Sequence, residues 1–180
     1  MGAVICGSYL LKYDALSLPQ FLIQKDDTVT VKKAWNPENP NYLDRILSCL
    51  ERQAFMRHIG CEVTNVQPGF VEARIQISDF HKQHDGLLHG GVIATLADIV
   101  AGFAVHTLVN KDVSTVTIDM MISFLEACRN DYLIARGNVV RHGRTTSFAQ
   151  AVVFASTNGV DPELLIATAQ ATFALRQLPP

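Results

Sequence analysis

A chain of 180 residues, 48% hydrophobic and 18% charged, has the length and apolar content for one domain with a real core, or one domain plus an extension. A formal net charge of -2 with no runs of like charge excludes the basic face that nucleic-acid binding needs. The cysteines Cys6, Cys49, Cys61 and Cys128 lie far apart with no C-x-x-C pair. They read as free thiols of a reducing, cytoplasmic compartment, with no disulfide framework and no metal site.

In chain order, residues 1–40 read as an N-terminal extension and 41–180 as the domain. Met1-Gly2 is followed at the sixth position by Cys6, where the myristoylation pattern prefers Ser or Thr. No basic region precedes the apolar residues 2–11, as an export signal would require. The alternation Thr28-Val29-Thr30-Val31 suggests a short strand, and Pro37 and Pro40 interrupt the pattern around Trp35-Asn36.

From Asn41, Leu43, Ile46, Leu47, Leu50 and Phe55 recur at three- and four-residue steps, which predicts a helix ending near Gly60. Cys61–Val66 and Phe70–Ile77 read as strands joined through Gln67-Pro68-Gly69, a hairpin turn. Val71, Ala73, Ile75 and Ile77 alternate with Glu72, Arg74 and Gln76, so one face is dry and one wet.

Residues 90–109 carry only Asp98 and His106 as ionisable groups and are rich in Gly and Ala. The length suits a membrane span, but a central Asp98 and thin positive flanks oppose one, so the stretch reads as a long helix in a domain core. Strand-like segments follow at about 113–125, 131–141, 145–156 and 164–175. The fold class is therefore α+β: an antiparallel sheet with one long helix on its concave face.

Chemistry gathers at the start of that helix. The run Gln83-His84-Asp85-Gly86-Leu87-Leu88-His89-Gly90-Gly91 leads into it. A helix beginning there aims free N–H groups and the positive dipole end at the loop, so Gly90 or Gly91 can hold an oxyanion, or the glycines can simply turn the chain. Asp98, in an apolar helix, is either satisfied by a neighbouring or subunit contact or used as a base or nucleophile. His89 is either a cap or a substrate contact. No nucleophile elbow, zinc motif, dinucleotide fingerprint or P-loop occurs.

The spaced motif Gln83-(x2)-Gly86-(x2)-His89-Gly90-Gly91 with Asp98 resembles the hotdog-fold thioesterases of the 4-hydroxybenzoyl-CoA and phenylacetate-pathway type. The likeness extends over about residues 45–175, through Val116–Leu125 and Val139–Thr145. It implies a hotdog fold acting on acyl-CoA, without metal or redox cofactor, CoA being part of the substrate. It implies that Asp98 attacks the thioester or activates water, and that Gly90 supplies the oxyanion donor, with Gly91 beside it at the substrate. His89 and Gln83 would position the carbonyl or the water; many relatives carry Asn in place of Gln83. Thr117 corresponds to a Ser or Thr that orients water from the partner subunit. Arg141, His142, Gly143 and Arg144 fall where relatives touch CoA phosphates; alternatively they are a solvated hairpin tip. The working unit implied is a homodimer or a dimer of dimers. A hydratase or dehydratase on the same fold, or a non-catalytic acyl-CoA binding module, are the alternatives.

Overall fold

The computed structural model describes residues 34–162 and 164–178; the strand expected at Thr28-Val29-Thr30-Val31 lies outside them. The expected first helix is two. Helix α1 spans Tyr42–Arg52 and α2 spans Ala54–His58, broken at Gln53 with ψ 82. The break lets Met56 and Ile59 reach the core while Phe55 turns outward and stays 56% exposed. A continuous apolar period cannot reveal such a break, because burial of later residues decides it.

Strands β1 (Cys61–Gln67) and β2 (Phe70–Gln76) form the expected hairpin. A short 3-10 turn (Asp79–His81) and a loop lead to α3, Gly90–His106. Then come β3 (Val113–Phe124), β4 (Tyr132–His142), β5 (Thr146–Ser156) and β6 (Leu164–Gln177). The six strands make one antiparallel sheet in the order β1-β2-β4-β5-β6-β3. This is the α+β layout read from the sequence.

Helix α3 lies across the sheet, and its Ile93, Leu96, Ala97, Val100 and Ala104 are buried there. The facing strand positions are small or β-branched, including Val71, Ala73, Ala135, Ala149, Ala151 and Ala169. Small residues let the helix come close. At Gly137 of β4 a Cβ would stand 2.3 Å from the Val100 carbonyl oxygen, so only glycine fits. No described helix is long and apolar enough to cross a membrane.

Residues just ahead of α1 pack on the domain. Trp35 lies against Gly69 and meets His142 edge-on at 6.4 Å. The Glu38 N–H donates to the Leu108 carbonyl at 3.0 Å. The Arg45 guanidinium donates to the carbonyls of Val109 (3.2 Å), Asn110 (2.7 Å) and Val113, tying α1 to the turn after α3.

Candidate active site

The loop before α3 is built on a buried histidine. The Ser78 N–H donates to Nδ1 of His81 at 3.0 Å, so the neutral ring carries its proton on Nε2 and donates it to the Ile59 carbonyl at 3.1 Å. Burial holds the His81 imidazole below its ordinary pKa. The post anchors the loop directly, because the His89 N–H donates to the His81 carbonyl at 2.9 Å. Leu88 is tied in turn to the Cys128 carbonyl at 3.0 Å. Between these anchors Gln83 accepts from the Gly86 N–H at 3.0 Å and donates to the Leu87 carbonyl at 2.8 Å. Gly86 has φ 78, the left-handed conformation that closes this turn.

His89 is the N-cap of α3, and its Nδ1 accepts the Gly91 N–H at 2.9 Å. Two consequences follow. The Gly91 N–H is occupied by the cap, while Gly90, as the first helical residue, has no intrahelical acceptor for its own. The neutral His89 ring keeps its proton on Nε2, available to donate. The Phe124 ring from the end of β3 lies over Gly90, 3.4 Å from where a Cβ would stand.

Asp98 is half-buried, and the expectation of a helix covered all round is corrected here. Gly91, Thr95, Asp98 and Gly102 share one side of α3, and none of them is fully buried. Thr117 of β3 donates its hydroxyl to Asp98 Oδ1 at 2.9 Å, fixing the carboxylate and leaving Oδ2 for other partners. Thr117 thus meets the acid of its own chain, a contact that the expected role of orienting water did not include. Gly90 and Asp98 are eight residues apart on one helix, about 12 Å along its axis. One carbonyl group cannot touch both within a single chain.

The β4–β5 hairpin divides the residues expected at phosphates. Arg141 and Arg144 are exposed. His142 is turned inward, with Nδ1 2.7 Å from the Ser147 hydroxyl and Nε2 3.7 Å from Glu38 Oε1. The Gly143 N–H closes the turn on the Thr146 carbonyl at 3.0 Å. Arg144 stands beside Asn110 and Val113, past the C-terminal end of α3, so the cations and the helix start are at opposite ends of that helix.

A groove of about 250 Å³ opens at the helix start, lined by Phe55, Ile59, Phe80, Val92 and Thr95 together with Lys82, His89 and Gly91. The sequence places Phe55 in the first helical period and does not single out Thr95. A signal for Thr95 was present: it is the one hydroxyl residue between Gly90 and His106, three before Asp98. At the other end of α3, His106 lies 3.3 Å from the Thr115 hydroxyl and 3.8 Å from Cys49 Sγ. Burial, and secondarily the charge of Arg45, lowers its pKa from 6.5 to about 4. Burial instead pushes the Cys61 thiol up to about 12 and raises that of Cys128, so both are inert as nucleophiles.

Comparison with known proteins gives a consistent picture. The family model described as the thioesterase superfamily matches residues 85–161. A Halobacterium salinarum protein provisionally named an esterase is 32% identical over 123 residues, 66% of this chain and 81% of its own length. A thioesterase family protein from Silicibacter pomeroyi superposes with a TM-score of 0.72 at 28% identity, over 76% of this chain and 98% of that one. The E. coli PaaI protein of the phenylacetic acid degradation operon superposes with a TM-score of 0.68 at 16% identity, over 77% and 96% of the two chains, a likeness of fold alone.

Proposed function

The chain belongs to the thioesterase superfamily, and from that membership we propose that it hydrolyses an acyl-CoA to the free acid and CoA in the cytoplasm. The observation that carries this reading is Asp98, oriented by Thr117 on the side of α3 that is only partly buried.

As a general base, Asp98 takes a proton from water while the water oxygen attacks the thioester carbonyl carbon. The electron pair displaced onto the carbonyl oxygen is held by the Gly90 N–H at the positive end of the helix. The C–S bond then breaks and the CoA thiolate leaves, taking up the proton. As a nucleophile, the carboxylate instead attacks the carbonyl carbon and the C–S bond breaks to expel CoA thiolate, leaving a mixed anhydride that water cleaves to the free acid and the regenerated carboxylate. His89 and Gln83 position the carbonyl or the water. Neither route calls on a metal or redox cofactor. The exposed Arg141 and Arg144 suit the CoA phosphates by charge and fork geometry.

The unit that does this is a homodimer, in which Gly90 of one copy faces Asp98 of the other. The separation of about 12 Å along one helix supports this arrangement. So does β3, a twelve-residue strand whose outer edge no other described strand pairs and which exposes Val116, Ile118, Met121 and Phe124. Pairs of dimers are the further assembly consistent with this reading.

The test is release of free thiol from acyl-CoAs by two inactive variants, alone and mixed. Asp98→Asn removes the base. Gly90→Pro removes the donor without breaking the helix, because the first helical position tolerates proline and His89 already has an extended backbone, φ -70 and ψ 131. Each alone should be inactive, and subunit exchange between them should restore activity. Activity of Asp98→Asn comparable to wild type would refute the assigned role. Failure of the mixture to recover would refute the shared site. A folded wild type that releases no thiol would leave the hydratase and the binding module as the readings to pursue.

A further inference from the structure

Resting on the thioesterase reading, we infer that the groove at the start of α3 is the acyl pocket, and that Phe55 and Phe80 set a preference for medium-length or single-ring acyl groups. Two large aromatic side chains from different elements stand 56% and 66% exposed on its walls. Exposed apolar surface gathered around a concavity marks a binding site. Neither ring is there by default. Phe55 faces outward because the chain breaks at Gln53, and Phe80 rests on the ring of the buried post His81, centroids 4.0 Å apart. The walls are therefore held in place before any ligand arrives.

The occupant follows from the lining and from what adjoins it. Val92 and Thr95 add to its lining, and so do His89 and Gly91, which adjoin the Gly90 N–H proposed to hold the thioester carbonyl. A chain attached to that carbonyl runs directly into the groove. The only lysine on the wall, Lys82, is tied to Asp79 at 2.9 Å, so the groove offers little to a phosphate. The exposed arginines are past the far end of α3, so the apolar and anionic ends of the substrate have separate sites. A volume of about 250 Å³ lies just under the range of pockets that enclose a whole drug-sized ligand, which suits a ring or a medium chain.

Thiol release from acetyl-, octanoyl-, phenylacetyl- and palmitoyl-CoA tests this, with calorimetric binding of the same thioesters to the Asp98→Asn protein run beside it. In wild type, kcat/KM should rise from acetyl to octanoyl and phenylacetyl and gain nothing further at palmitoyl. Phe55→Ala and Phe80→Ala should each cut the octanoyl-to-acetyl ratio roughly tenfold or more. Phe55→Leu should keep most of it, since both residues lie at the surface and the fold does not depend on them. A flat series in wild type, a ratio unchanged in both alanine variants, or preference for palmitoyl overturns the inference. Should wild type release no thiol, hydrolysis fails but the groove is still judged: tighter binding of octanoyl- than acetyl-CoA that Phe55→Ala abolishes upholds it, and equal binding overturns it.

Discussion

The two sides of α3 differ in burial and in the chemistry they carry. On the sheet side Leu96, Ala97, Val100 and Ala104 are wholly buried, and the strand beneath gives up even a Cβ at Gly137. On the other side Gly91, Thr95, Asp98 and Gly102 remain accessible, with one carboxylate held by one hydroxyl. The first side is finished within a single chain. The second is an unfinished surface of small residues around an acid, and a single chain leaves it open. An apolar helix is thus a poor guide to burial: one segment serves a core on one side and presents an acid on the other.

Substitutions should separate the two sides by what they damage. Asp98→Asn should lower thioester turnover about 100- to 10,000-fold with the urea midpoint unchanged, since an amide oxygen still accepts from Thr117. Leu96→Ala, on the sheet side, should show the reverse emphasis: about 2 to 5 kcal/mol of stability lost by denaturant titration. A large loss of stability from the first or none from the second would dissolve the contrast.

Acid should act through the histidines that bracket α3. His106 sits at about 4, below 6.5, so folding favours its neutral ring. His81 is shifted the same way. The contribution of His106 is complete above about 6.5 and is lost as pH falls toward about 4, on the order of 3 kcal/mol, and that of His81 is lost in the same direction. Urea midpoints at about pH 7 and about pH 4.5 should differ accordingly, and His106→Asn should narrow the gap. The smallest effect belongs to Thr117→Val, which loses one hydrogen bond to a charged group. About tenfold in kcat with little change in stability is expected, and a kinetically silent variant would make the contact incidental.

Much of this was legible beforehand. The hairpin around Pro68-Gly69 and the four later strands lie within two residues of their expected limits, because period-two alternation and turn residues are local signals. The loop from Gln83 to Gly91 was singled out for the same reason: glycines, a cap and a helix start are adjacent in the chain. Phe55 was read as part of one continuous helix because the break at Gln53, on which its exposure depends, is announced by no glycine or proline. His142, grouped with its neighbours at CoA phosphates or a solvated hairpin tip, is instead turned in against Ser147 of its own hairpin and Trp35 from outside it.

By itself, then, the sequence determined the elements, their order and the residues able to do chemistry, since period, turn chemistry and charge are carried by neighbours a few positions apart. Only the tertiary structure decided which side of α3 is covered, that Thr117 holds Asp98, that Gly91 spends its N–H on the cap, and that Phe55 and Phe80 face one groove. Those facts join residues distant in the chain, and packing of the helix against the sheet, not local propensity, brings them together.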